Sequence, residues 1–563
     1  MNIADALQRQ AEARPEQVAI REPCGRDQYR SLMFGELWDR VTRIAAALPA
    51  NGIAPGMRTV LMVPPSIAFV ELTFALFAAG AVPVFVDPGI GLKNIKECLA
   101  GAEPAAFVGI TKAHVARVLF GWAKSSIKSL VTVGPRLLWG GATLKELVRE
   151  TASAGTISTR TTAADDVAAI LFTSGSTGVP KGAVYTHGMF NAQLESLRDV
   201  FQIEPGEVDL CTFPLFALFG PALGMTSIIP VMDSTKPAQV DPENIVRPVQ
   251  QFSATNLFGS PALLNRVGRC VEFVRHLPAT RHADQCKLDK ATQMPSLKRV
   301  LSAGAPVSPE ILERFSKLLS LRTQIYTPYG STESLPVAVI GSKEILGETR
   351  HLTAKGAGTC VGRPVPGLEV RIIRISDGPV ATMSPELVLP AGEIGEIVVY
   401  GPQVTQEYFR RPDLTALAKI ADPERGRVGH RMGDVGYFDE QGRLWFCGRK
   451  SQRVITPERT YFTEPVEGVF NAHPAVFRTA LVGVNRNGVV EPVLCVELEK
   501  GVKPQADATT TRELLALGQQ HEHTRAIRTA LYHDSFPVDI RHNSKIFREK
   551  LAAWATQQLR ERH

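Results

Sequence analysis

The run Thr173-Ser174-Gly175-Ser176-Thr177-Gly178-Val179-Pro180-Lys181-Gly182 constrains this chain more than any other stretch. Its glycines let backbone N–H groups turn toward an anion with no Cβ in the way. Its hydroxyls bond phosphate oxygens or a metal, and Lys181 supplies a compact positive charge. A polyphosphate such as ATP suits it. A linker or turn has the same composition, so the flanks decide. Val167-Ala168-Ala169-Ile170-Leu171-Phe172 is an apolar run suited to a buried strand. Ala183-Val184-Tyr185 is β-prone, and Thr186 is placed to cap a helix with Phe190, Leu194, Leu197 and Phe201 at helical spacing. The predicted order is strand, loop, strand, helix. A Walker loop runs strand, loop, helix and needs a different glycine–lysine spacing, which excludes a kinase or GTPase of that type.

A length of 563 residues exceeds a single core and predicts two or more domains. A net charge of +7 is small for this length and makes no case for nucleic acid, though it suits a polyanionic small ligand. Cys24, Cys98, Cys211, Cys270, Cys286, Cys360, Cys447 and Cys495 form no CxxC pair or ligand cluster, so reduced thiols in a cytoplasmic protein are expected. The start, Met1-Asn2-Ile3-Ala4-Asp5, lacks the basic and apolar regions of a signal peptide. The most apolar stretch, Ile67 to Val86, is broken by Glu71, Gly80 and Pro83 and reads as a buried helix followed by a strand, without a transmembrane segment.

Residues 1 to about 165 alternate helices (Leu37 to Leu48) with short strands (Thr59 to Val63, Val82 to Val86), the pattern of an α/β layered domain. Residues 166 to about 350 repeat it, with strands at Val300-Leu301 and Thr323 to Tyr326. From about 355 to 448, short strands such as Glu369 to Ile375 and Glu393 to Tyr400 predict a small β-rich subdomain. The boundary is expected at Gly448-Arg449-Lys450, which divides the chain into 1–449 and 450–563. The second part predicts strands Phe477 to Val484 and Pro492 to Leu498 and a terminal helix from about Lys545. Glu272 to Ser296 is polar, carries two prolines and reads as a surface loop or lid.

Three further segments carry chemistry. Tyr326-Thr327-Pro328-Tyr329-Gly330-Ser331-Thr332-Glu333 offers a hydroxyl for phosphate, a carboxylate for Mg²⁺ and a ring for a purine, although an exposed turn reads the same way. His430-Arg431-Met432-Gly433-Asp434-Val435-Gly436-Tyr437, with Gly448-Arg449, offers an aspartate for two sugar hydroxyls; a simple turn is the rival. Near the end, Asn543-Ser544-Lys545-Ile546-Phe547-Arg548 places Lys545 where a loop enters a helix, and a solvated basic helix is the rival. His521-Glu522-His523 has no third ligand nearby and reads as a solvated helix face.

Together with the glycine-rich run, these segments resemble, in order and separation, the adenylate-forming superfamily of acyl-CoA synthetases, luciferases and peptide-synthetase adenylation domains. Gly358-Thr359-Cys360-Val361-Gly362-Arg363-Pro364 and Gly392-Glu393-Ile394-Gly395-Glu396-Ile397 match two more of its motifs. The resemblance implies ATP and Mg²⁺ as cofactors. It places Thr173, Ser174, Gly175, Ser176, Thr177, Gly178 and Lys181 on the β- and γ-phosphates. Gly304, Ala305, Pro306 and Tyr329 then border the adenine, and Asp434 and Arg449 hold the ribose. Thr332 meets the α-phosphate, Glu333 and Thr177 meet the metal, and Lys545 arrives on a mobile C-terminal domain as the catalytic lysine. Phe216, Ala217, Phe219, Gly220 and Gly259 are the implied acyl pocket.

Departures from the family bear on the acceptor. Gln452, Ile455 and Glu458 stand where acyl-CoA synthetases carry a hinge aspartate, a lysine and a glycine that help admit pantetheine. Ala217 stands where many members carry a histidine or aromatic residue; a small residue there makes room for a branched or long chain, and ordinary core packing accounts for it equally well. Leu171-Phe172-Thr173, Phe213 to Gly220 and Tyr326 to Ser334 are most similar to the β-lactone synthetases of bacterial long-chain olefin biosynthesis. That resemblance implies a long-chain 2-alkyl-3-hydroxy acid substrate, lactone closure by its own 3-hydroxyl, and a complex with other enzymes of that route. A fatty-acyl-CoA synthetase is the alternative reading. No general base is evident; His187, His430 and His542 lie in or beside motifs and read equally as structural or surface residues.

Overall fold

The computed structural model describes every residue except 1, 26–27, 151–158, 174–179, 214–218, 277–291, 487, 500, 503–508, 539–545 and 562–563. Two large sheets carry the first 449 residues. The first has seven strands in the order Ala142–Thr143, Ser129–Val133, Ala106–Ile110, Arg58–Met62, Val82–Val86, Val167–Thr173 and Lys181–Thr186. All are parallel except the last. Continuous apolar strands such as Val82–Val86 suit a parallel sheet covered on both faces. The helix Ile67–Ala78, started by Ser66 Oγ accepting from the Phe69 N–H at 3.1 Å, is apolar on nearly every side because it is buried on nearly every side, and its one charge, Glu71, pairs with Arg40.

The second sheet has fourteen strands. Its parallel section runs Thr226–Ile228, Val208–Cys211, Asn256–Phe258, Arg299–Leu301 and Gln324–Ser331. Past Ser334–Gly341 the pairing is antiparallel through Thr359–Pro364, Leu444–Arg449, Arg427–Phe438, Gly395–Tyr400 and Glu369–Ile373. The predicted β-rich subdomain is therefore a continuation of this sheet. After Arg449 come a three-stranded sheet (Val476–Arg486, Val489–Leu498, Thr529–Tyr532) and the helices Thr463–Phe470, Thr509–Gln519 and Arg548–Glu561. The Thr359 hydroxyl donates to Glu464 Oε2 at 2.7 Å and ties this region to the large sheet.

Three expectations need correction. The polar stretch from Glu272 is not all loop: the helix Pro261–His276 runs into it, and Met294 is fully buried at its far side. An amphipathic helix extends past the first polar residues whenever its apolar stripe continues, here to Val271. Six cysteines are free, whereas Cys270 is disulfide-bonded to a partner outside the described residues. Sequence spacing does not report this, because tertiary proximity decides the pairing. His521-Glu522-His523 is not on a helix face but in the turn after Thr509–Gln519, where His523 is half-buried with Nε2 3.2 Å from Pro465 O, and among the described residues no cluster of three metal-ligating side chains occurs.

Candidate active site

The parallel strands of each sheet end on one edge, and of the predicted site residues Thr173, Gly259, Gly304, Thr332 and Glu333 lie at or just beyond those strand ends. Val167–Thr173 leads into the phosphate run and Lys181–Thr186 returns from it in register, Thr173 opposite Lys181. In the second sheet, Asn256–Phe258 ends at Gly259, whose N–H donates to Leu301 O at 2.9 Å. Arg299–Leu301 ends just before Gly304, which adopts φ +95°, a left-handed turn that glycine accepts without strain. Gln324–Ser331 turns into Ser334–Gly341 through Thr332-Glu333. A Cβ on Gly330 would stand 2.5 Å from Ser334 O, so this hairpin requires glycine.

Contacts between the two sheets close the site. The Tyr185 hydroxyl donates to Thr332 O, and Gln193 Nε2 donates to Leu335 O at 2.8 Å. The Phe409 N–H donates to Gly182 O at 2.8 Å, so the segment around Tyr408 lies along the strand Lys181–Thr186.

Glu333 sits at the centre and is buried. The Tyr408 hydroxyl donates to its Oε1 at 2.6 Å. Burial pushes the carboxyl up, but the His430 ring, the Tyr408 and Ser331 hydroxyls and Lys419 outweigh it and hold it at about 2. It is ionised at neutral pH. Lys181 Nζ lies 5.3 Å above the Tyr408 ring, with its pKa lowered by burial. Lys419 is buried behind Tyr408, where Nζ bonds the Thr405 carbonyl and lies 3.1 Å from His430 Nδ1. Burial lowers its pKa to about 7, against the pull of Glu333. His430 is pushed down to about 3 by burial and by Lys419.

A second cluster adjoins the first. Asp434 is buried, accepts from the Tyr329 hydroxyl at 2.7 Å and pairs with Arg449 at 2.8 Å. Burial raises its pKa against the opposing pull of Arg449. Register explains the pairing, since Asp434 and Arg449 are opposite each other on neighbouring antiparallel strands. The Tyr329 ring packs 6.0 Å from Phe446.

Of the predicted acyl pocket, Phe219 is buried 6.3 Å from the Phe190 ring, and a Cβ on Gly220 would stand 2.2 Å from Ser227 Oγ. A Cβ on Gly259 would meet Leu264 at 3.0 Å. Phe216, Ala217, Ser174 to Gly178, Lys545 and His542 lie outside the described residues. His187 is a core histidine: its Nδ1 accepts from the Ile3 N–H at 3.2 Å and burial lowers its pKa to about 4. Sequence reasoning missed Tyr408, Thr405 and Lys419. Lys419 carried a signal, a lone lysine within Ala416-Leu417-Ala418-Lys419-Ile420-Ala421; Tyr408 carried none.

The site thus offers three basic side chains, two buried carboxylates and strand ends that flank the glycine-rich run, as binding and attack at a nucleotide's phosphate requires. The chain belongs to the AMP-binding enzyme family, whose pattern matches residues 7–409, and so is an adenylate-forming enzyme that uses ATP. It is 51% identical over 566 aligned residues to an olefin β-lactone synthetase of Xanthomonas campestris, covering 99% of this chain and 98% of the other. It is 50% identical to an olefin β-lactone synthetase of Stenotrophomonas maltophilia, covering 100% and 99%. The fold is shared with the amide bond synthetase McbA of Marinactinospora thermotolerans, at TM-score 0.76 and 22% identity over 98% of this chain and 99% of that one. Among the described residues no helix is long and apolar enough to cross a membrane.

If the Tyr408 hydroxyl orients Glu333, Tyr408→Phe leaves one buried carboxylate oxygen without its donor. Hydrogen bonds to charged groups contribute about 1.5–3 kcal/mol. If Glu333 holds Mg²⁺, as the family resemblance implies, the Mg²⁺ concentration giving half-maximal pyrophosphate release is expected to rise about tenfold or more. An unchanged Mg²⁺ dependence, read from a titration of initial rates, removes Tyr408 from the site.

Proposed function

We propose that this chain activates a long-chain 2-alkyl-3-hydroxy fatty acid as its acyl-AMP and closes the adenylate to a β-lactone, releasing pyrophosphate and then AMP. The observation that carries this reading is the half-identity over the whole chain to two olefin β-lactone synthetases. The run Thr173 to Lys181 holds the β- and γ-phosphates. Gly304, Ala305, Pro306 and Tyr329 border the adenine, Asp434 and Arg449 hold the ribose, and Thr332 meets the α-phosphate. Lys545, on a mobile domain of residues 450–563, reaches the reacting carboxylate. Glu333, with Thr177, holds Mg²⁺, which supplies charge neutralisation at the phosphates. Among the described residues no cluster of three metal-ligating side chains forms, and a buried, ionised carboxylate fits Mg²⁺, which takes one or two carboxylates and completes its shell from substrate phosphates and water. Phe216, Ala217, Phe219, Gly220 and Gly259 line the acyl pocket.

In the first step a carboxylate oxygen bonds the α-phosphorus and the bond to pyrophosphate breaks. Lys181 and Lys545 meet charge that builds on the phosphoryl oxygens. In the second step the 3-hydroxyl oxygen bonds the acyl carbon, the acyl–phosphate bond breaks, and the hydroxyl proton leaves with AMP. Tethering raises the effective concentration of the hydroxyl, which offsets part of the ring strain. No pantetheine is needed. In keeping with this, Ile455 and Glu458 are exposed where a CoA-using relative carries its lysine and glycine, and Gln452 accepts from Arg548 Nε at 3.1 Å. The enzyme works in the cytoplasm, in a complex with others of the olefin route.

The test compares a long-chain 2-alkyl-3-hydroxy acid with its 3-deoxy analogue, with ATP and Mg²⁺, with and without CoA. The expected result is a lactone one water lighter from the hydroxy acid alone, with CoA irrelevant. Thioester from both acids, formed only with CoA, makes the chain an acyl-CoA synthetase.

A further inference from the structure

The helix Thr111–Phe120 buries Ala113 and His114 against the seven-stranded sheet, and Trp122 follows it into the core. Its other face should be polar, and it is not. Val115, Val118, Leu119 and Phe120 are exposed there, Leu119 to 73%. Beside it runs the loop after Ser129–Val133. The Thr111 hydroxyl donates to Pro135 O at 2.6 Å, and the Trp139 ring stacks on His114 at 5.0 Å. Between these anchors Leu137 and Leu138 face solvent, Leu138 completely. Six of the sixteen exposed large apolar residues described in the chain thus fall within 24 residues, which is clustering and not scatter.

The charge along this stretch is mainly positive, with Arg136 paired to Glu146 at 3.3 Å just beyond it. Between Pro104 and Lys145 the sequence has Lys112, Arg117, Lys124, Lys128, Arg136 and Lys145 and no aspartate or glutamate, in a chain whose total is only +7. Lys112 lies at one end of the ten-residue helix, and Lys124 and Lys128 follow its other end; all three are exposed. We propose that the face formed by helix Thr111–Phe120 and residues 135–139 docks on an anionic lipid surface, with the leucines entering the headgroup region and the lysines meeting lipid phosphates. A protein partner fits less well, because the cations at protein interfaces are mainly arginine and lysine is depleted there.

Placement adds a use for this docking. Thr111 and Pro135 follow the ends of strands parallel to Val167–Thr173, so the face shares the sheet edge with the phosphate run. Four strand spacings separate Ser129–Val133 from Val167–Thr173, roughly 20 Å. Docking would hold the catalytic edge close to a bilayer in which a long-chain acid and its lactone dissolve. That benefit rests on the function proposed above, whereas the docking rests on the surface alone.

The experiment is vesicle flotation of the full chain. It compares phosphatidylcholine with a phosphatidylcholine–phosphatidylglycerol mixture, at low and high salt. Two variants are included, Leu119→Glu/Leu138→Glu and Lys112→Glu/Lys124→Glu/Lys128→Glu. ATP–pyrophosphate exchange with a soluble short-chain acid confirms that each variant is folded and is expected to be unchanged. The expected result is binding to the anionic vesicles only, weakened by salt and lowered about tenfold or more in either variant. Absence of binding to anionic vesicles overturns the proposal, as does equal binding by the variants. Self-association through this face without vesicle binding, read by light scattering, overturns it in favour of a protein interface.

Discussion

Glu333→Gln is expected to lower ATP–pyrophosphate exchange by about 10²–10³-fold, the range found when one preorganised electrostatic group is removed from a reacting centre. The substitution keeps the side chain's shape and its bond from the Tyr408 hydroxyl, and removes only the charge. That charge is secure, because His430, Tyr408, Ser331 and Lys419 hold the carboxyl at about 2 despite its burial. The sign of its linkage follows. With the folded value below the ordinary 4.5, ionisation of Glu333 stabilises the fold above about pH 4.5, and this contribution is lost as the pH falls toward 2. Loss of activity between pH 7 and 5 should therefore not trace to Glu333. Exchange within a few-fold of the parent, with the same Mg²⁺ dependence, would show that the carboxylate does not serve the metal.

The second large effect is on stability. Glu396 and Arg431 are both 1% exposed and are joined at 2.7 Å, while Lys450 Nζ reaches the other carboxylate oxygen at 2.8 Å. Arg431 also donates to the carbonyls of Ser376, Gly378 and Leu417. Glu396→Ala leaves two cations without their counter-charge, one fully buried, and is expected to cost about 3–5 kcal/mol. Asp413→Ala, which breaks the exposed pair with Arg411 at 2.7 Å, is expected to cost less than about 1 kcal/mol. Thermal unfolding of both variants against the parent checks the contrast. Equal shifts would mean that the buried network contributes no more than a surface pair. The network also ties Lys450, the residue after Arg449, to the strand Gly395–Tyr400, so loss of Glu396 should loosen the junction toward the C-terminal region.

Much of this protein is readable from local pattern. The apolar run before the phosphate loop, the Thr186 cap (Oγ1 accepting from the Met189 N–H) and strand Val82–Val86 stand where periodicity puts them, because each depends on neighbours within a few residues. The motifs around Glu333, Asp434 and Arg449 are legible for a related reason: a turn of fixed length sets side chains at fixed offsets from a strand end. Pattern fails where partners are distant. The β-rich segment after residue 355 shows its strands but not that they extend an existing sheet. The polar residues from Glu272 read as loop although the helix Pro261–His276 runs into them, and nothing in the spacing of Cys270 announces a disulfide.

The sequence by itself determined which residue types stand at the strand ends and in the turns proposed to meet phosphate, sugar and metal, because residue type and short-range spacing are local properties. Tertiary structure alone decided the environment that makes them work. Tyr408 and Lys419, 75 and 86 positions beyond Glu333, reach its surroundings only when the segment near Gly182 draws the two sheets together. Charge state follows burial and neighbouring charges, and those are properties of the packed chain.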